Sequence, residues 1–201
     1  MTNDAMLAHD IEECTAAHGR LHATIAALND DDVRGPSLLP GWSIGHLLSH
    51  IARNADSVTR RLEGAGRGVV VDQYVGGVQG RASEIEEGAD RSARALIDDV
   101  LASDEACERA FAAMPDAAWD NLQRGVNGSE RPASFLPFNR WREVEVHHAD
   151  LGLGYASADW PSALLDRWLP DLLSELPSRG DPNALTAWIL GRGPAPELTP
   201  W

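Results

Sequence analysis

Apolar residues recur at alternating four- and three-residue steps from the start of the chain: Leu7, Ile11, Cys14, His18, Leu21, Ile25 and Leu28. These steps trace one face of a helix, predicted over about residues 4–29, with His18 a polar member of the inward stripe. Gly and Pro in "NDDDVRGPSLLPGW" break the pattern. Ser43 then stands as N-cap to a second helix, about 44–64, with Ile44, Leu47, Leu48, Ile51, Ala55, Val58 and Leu62 on one face. After the Gly-rich "GAGRGVVVDQYVGGVQG", a third helix is predicted over about 80–102 through Ile85, Ala89, Ala93, Leu96, Ile97 and Val100. Ser103 would cap a short helix over about 104–113.

"WDNLQRGVNGSERPASF" holds an Asn-Gly turn and reads as a small hairpin or an irregular loop. A fourth long helix over about 135–152 ends near Gly152 and Gly154. Trp160-Pro161 opens another, to about 176, which "PSRGDP" breaks. "NALTAWILGRG" makes a last short helix before the Pro-rich tail "PAPELTPW". Four long amphipathic helices with few strands predict a mainly α, up-down four-helix bundle.

Composition narrows the function classes. The chain has 201 residues and a formal net charge of −14. Nucleic-acid binding needs a basic stripe, so that class is disfavoured, as is an anionic membrane surface. All 17 basic residues are Arg, which removes Schiff-base chemistry and a Walker-type lysine. Arg is the side chain suited to forked binding of carboxylates. Two cysteines, Cys14 and Cys107, lie outside any CxxC pattern and read as small apolar residues. The opening residues lack a signal-peptide pattern, and no stretch reaches the roughly 20 apolar residues that span a bilayer. A soluble, cytoplasmic protein is the expectation.

The densest chemistry lies in "WREVEVHHAD", residues 141–150. On a helical wheel Trp141, Val144, His148 and Leu151 form the apolar arc, while Arg142, Glu145 and Ala149 point toward solvent. Glu143 and His147 are one turn apart at the edge of that arc. Such a pair either binds one metal ion or forms an ordinary ion pair on a wet surface, and the spacing leaves both open. In the second helix His46 points away from the apolar face, whereas His50 lies on its flank beside Leu47 and Asn54. His50, Glu143 and His147 together would make a set of two imidazoles and one carboxylate with an open fourth position, the pattern of catalytic rather than structural zinc. His18 is either a plain core histidine or a support for such a site. Arg81 in "GRASEIEEG" and Arg192 in "LGRG" are helix-end charges or carboxylate ligands.

"SLLPGWSIGHLLSHIARNA" (37–55) resembles the second-helix signature of the mycothiol-dependent maleylpyruvate isomerase family, within the DinB-like metal-binding bundles. "WREVEVHHADLG" (141–152) resembles that family's fourth-helix motif, and "RASEI" and "RPAS" have counterparts too. The resemblance covers most of residues 7–155 and thins beyond. It implies a DinB-like four-helix bundle over 1–155, and a reduced C-terminal segment, 156–201, that carries Arg192. The family's small α/β C-terminal domain has strands that are missing here between "LLSELPSRGD" and "NALTAWILGRG". The resemblance assigns metal binding to His50, Glu143 and His147, with Zn2+ or another divalent ion. It assigns catalysis to Arg192 and substrate contact to Arg81, and leaves His18, Asn54 and His148 as supporting or substrate-proximal groups. The implied activity is isomerisation of maleylpyruvate to fumarylpyruvate through a mycothiol adduct. Its partners would be a small anionic substrate and a low-molecular-weight thiol. A zinc-dependent thiol S-transferase and a non-catalytic metal binder are the alternatives.

Overall fold

The computed structural model describes residues 3–199; the last two residues of the Pro-rich tail lie outside them. The chain divides into two compact units, Met1–Ala158 and Asp159–Trp201.

The first unit is a helical bundle. Its long helices are α1 (Asn3–Ile25), α3 (Ile44–Gly66), α5 (Ala93–Ala113) and α6 (Leu136–Asp150). Two shorter helices, α2 (Asp30–Arg34) and α4 (Gly77–Ala89), precede and follow α3. A two-stranded antiparallel hairpin joins α5 to α6: β1 (Leu122–Arg124) and β2 (Glu130–Pro132), with Gln123 opposite Arg131. α3 is the central element, since 16 of its 23 residues are buried. It packs on α5, α4 and α6, while α1 lies mainly along α6. The predicted inward stripe of α1 is buried at Cys14, His18, Leu21 and Ile25, and the apolar face of α3 at Leu47, Leu48, Ile51, Ala55, Val58 and Leu62. α4 approaches α3 so closely that a Cβ on Gly45 would stand 2.3 Å from the Ala89 carbonyl oxygen, a distance only glycine tolerates.

Three boundaries differ from the periodicity. α1 stops at Ile25, and Asn29 opens α2 instead of closing the first helix. Its side chain accepts from the Asp31 and Asp32 N–H groups while Asp32 accepts from the Asn29 N–H, a reciprocal cap that competes with continued helix. The helix expected over 80–102 is two helices, because Ser92 caps a new start and Asp30 accepts from the Ala93 N–H at 2.7 Å. α5 then runs through Ser103 without interruption. The Ser103 hydroxyl donates to the Val100 carbonyl, so it caps nothing. Ile85, Ala89, Ala93 and Leu96 keep helical spacing across the real break, which is why the pattern concealed it.

The second unit carries α7 (Ser162–Arg179) and α8 (Pro182–Ile189), the latter N-capped by Asp181.

One buried network holds four helices of the bundle together. Arg140 of α6 is fully buried, as is Asp104 of α5. Arg140 donates to Asp104 at 2.6 Å, to the Ile51 carbonyl at 3.0 Å, to Asn54 Oδ1 at 2.8 Å and to His18 Nε2 at 3.3 Å. His22 donates to the second oxygen of Asp104, and His18 Nδ1 to Glu108. Removing one partner of a buried pair leaves the other charge uncompensated, at a cost of about 3–5 kcal/mol. Asp104→Ala should lose that much in urea unfolding; a loss below about 1 kcal/mol would remove the network from its structural role.

Candidate metal centre

His50 on α3 faces Glu143 and His147 on α6. His50 Nε2 and His147 Nε2 lie 3.6 and 3.5 Å from Glu143 Oε2, and one ligand atom from each residue falls within 4.8 Å of the others. Ligands about 2.1 Å from a tetrahedral ion stand about 3.4 Å apart, so these separations fit a common divalent ion. His50 is buried, and Glu143 and His147 are half-buried. Asp150 Oδ2 accepts from His147 Nδ1 at 2.9 Å, which fixes the ring and aims Nε2 at the centre. Asp150 lies three residues beyond His147, one turn on. That spacing was visible in the sequence, but Asp150 was not among the residues it suggested.

The remaining wall comes from the segment before α3 and from α4. Pro36 and Ser43 form an isolated bridge, and the Ser37 N–H donates to the Trp42 carbonyl. The loop between them turns through Gly41 at φ +81°, a conformation glycine adopts without strain. This places Trp42 edge-on to His50, with ring centroids 5.7 Å apart. Arg81 of α4 lies 6.0 Å from the Trp42 ring centre and 5.8 Å from that of Tyr74, and its Nη2 donates to His50 Nδ1 at 3.1 Å. His46 takes no part: it closes the α3 capping box with Ser43 and stands 3.4 Å from Glu86.

The other residues singled out in the sequence are spread elsewhere. His18 and Asn54 belong to the Arg140 network. His148 is buried against Thr24 Oγ1 at 2.7 Å, stacked on Tyr155 at 3.8 Å. Arg192 is exposed in the second unit, its N–H donating to the Ala187 carbonyl. Glu145 requires correction: expected on the solvated face, it is fully buried, bonded by Arg20, Tyr155 and the Trp141 indole. A wheel drawn for one helix does not show that α1 and the turn after α6 cover that side.

Electrostatics set the protonation states. Burial pulls the His50 imidazole down to about 4, so it is neutral at pH 7. Burial also opposes charge on His147, but its hydrogen bonds with Asp150 and Glu143 win and raise it to about 9. Burial disfavours the Glu143 carboxylate, yet the two histidines hold it well below the usual carboxylate range. Burial raises both cysteines, Cys107 to about 12, so neither offers a thiolate.

Residues 14–152 match the family model of the mycothiol maleylpyruvate isomerase N-terminal domain. The chain belongs to that family. The match spans α3 and α6 and so includes all three residues of the candidate centre. Among solved structures, the crystal structure of the mycothiol-dependent maleylpyruvate isomerase is similar with a TM-score of 0.77 and 25% identity, covering 83% of this chain and 69% of that one. A histidine-to-alanine mutant of the mycothiol-dependent maleylpyruvate isomerase matches at the same TM-score and coverage with 24% identity. No curated protein matches the chain. Among the described residues no helix is long and apolar enough to cross a membrane.

A metal ion at this centre needs neutral His147, which is protonated at pH 7. Binding should therefore release close to one proton at pH 7, and affinity should rise about tenfold per pH unit up to about 9. Calorimetry in buffers of different ionisation enthalpy reads this directly; zero proton release would contradict it. The metal-free fold has the opposite sign. The stabilisation from charged His147 is complete below the free-histidine value of about 6.5 and is lost as pH rises through about 9.

Proposed function

We propose that the protein is a zinc- and thiol-dependent isomerase that converts maleylpyruvate to fumarylpyruvate with mycothiol as the thiol. The observation that carries this reading is the spacing of His50 Nε2, Glu143 Oε2 and His147 Nε2, a three-ligand set that leaves a position for an exogenous ligand. A divalent ion held there supplies the positive charge that keeps a thiol ionised at neutral pH, and the thiol supplies reversible addition to the cis double bond. The chain supplies no competing thiolate, because Cys14 and Cys107 are buried and protonated.

The protein's own groups bind and orient. Asp150 holds the His147 ring in the tautomer that presents Nε2. In this reading Arg81 binds a substrate carboxylate and stabilises the negative charge that builds on the adjoining carbonyl during addition. Its present contact with His50 fits that role. With Nδ1 accepting from Arg81, the neutral His50 ring carries its proton on Nε2. Were Nε2 to hold an ion, the proton would sit on Nδ1 and Arg81 would be free to engage an anion beside Trp42 and Tyr74. Arg192 is the second arginine that family resemblance assigns to the reaction.

The test is metal analysis coupled to a thiol-dependent absorbance assay on maleylpyruvate. His50→Ala should lose the metal. Arg81→Ala and Arg192→Ala should keep it, with kcat/KM falling on the order of 10²–10³. Zinc without turnover would sink the isomerase reading. Accumulation of a stable thiol adduct would instead establish an S-transferase.

A further inference from the structure

Arg61 is a guanidinium that the reaction outlined above does not use. It is 3% exposed. Its Nε donates to the Ser57 carbonyl at 3.1 Å, Nη1 to Gln123 Oε1 at 2.9 Å and Nη2 to Ser57 Oγ at 3.4 Å. All three partners are neutral, and among the described residues no carboxylate comes within ion-pair distance of it. Arg140, the other arginine buried in the bundle, has Asp104. A buried cation without a counter-charge is costly, and it persists where something supplies the missing anion.

Its placement points to the metal centre. Arg61 follows His50 by 11 residues on α3, three turns plus about 20°, so the two share one face. The bond from Nε to the Ser57 carbonyl folds the side chain back one turn toward His50. The guanidinium thus lies about 10 Å along the helix axis from the His50 level. It feels Tyr74, the ring beside Arg81, and Glu143 electrostatically, yet burial still pulls it down to about 10. Glu143 cannot serve as its counter-ion, because His50 and His147 engage that carboxylate and an ion at the centre would claim it fully.

We propose that Arg61 is a second carboxylate subsite, which receives the far carboxylate of a dianionic substrate while Arg81 engages the end nearer the metal. This rests on the isomerase reading for the identity of the diacid. It makes the site selective for dianions, since a monoanion leaves one buried guanidinium unpaired.

The experiment measures binding of pimelate, a dianion with the same carbon-chain length as maleylpyruvate, and of its monomethyl ester to the zinc-loaded full chain by calorimetry. Wild type should prefer pimelate at least tenfold. Arg61→Gln and Arg61→Met should each abolish the preference; the second, apolar and similar in length, reads the role if the first does not fold. Gln123→Leu removes the strut between α3 and β1 and should keep the preference. Equal preference in wild type and a folded Arg61 variant overturns the subsite, as does absence of preference in wild type. Loss of preference in Gln123→Leu equal to that in Arg61→Gln makes Arg61 a strut and also overturns it. These readouts need neither thiol nor turnover. A protein that keeps an Arg61-dependent preference but does not isomerise maleylpyruvate upholds the subsite and overturns the isomerase reading alone.

Discussion

Arg140 and Asp104, both without solvent exposure, form the ion pair that fixes how α6 lies against α3 and α5. Arg140 also donates to the Ile51 carbonyl and to Asn54, so its fork locks one register between α6 and α3. Glu143 comes three residues after Arg140 on α6, and His50 one residue before Ile51 on α3. Holding the first contact therefore delivers the second. A slip of one residue would turn Glu143 by about 100° out of reach of His50. A buried ion pair is weak evidence for net stability, but it is well suited to choosing one register over its neighbours. Here the chosen register is the one that brings His50, Glu143 and His147 together.

The same desolvation that makes the clamp costly prepares the centre. His50 is neutral through burial, Glu143 is ionised through its histidine contacts, and His147 takes its charge from Asp150 and Glu143. A proton on His147 offsets the carboxylates, and a divalent ion bound there would replace it with greater charge. The acidic composition and the arginines near the site are thereby compatible. The net charge of −14 is spread over the surface, while Arg81 and Arg61 set the field close to the ligands.

Much of this was readable from residue spacing. Apolar periodicity located α1, α3 and α6, and the flank position of His50, Glu143 and His147 followed from the same wheels. Two kinds of information were out of reach. Local caps by Asn29 and Ser92 compete with helix continuation on a scale that periodicity averages over, so two helix boundaries were displaced. Neighbouring elements decide burial on the polar side of a helix, which is why Glu145 looked solvated and is sealed under α1 and Tyr155. Arg61 shows the same limit: nothing in "TRRLEG" separates it from Arg60, and only the fold buries it without a carboxylate.

X-ray absorption of the zinc-loaded protein, with and without mycothiol, tests the central claim most directly. The account predicts two imidazoles and one carboxylate around the ion, with one sulfur at about 2.3 Å appearing when the thiol is added. An ion ligated by cysteine in the free protein, or an unchanged shell with saturating thiol, would contradict it.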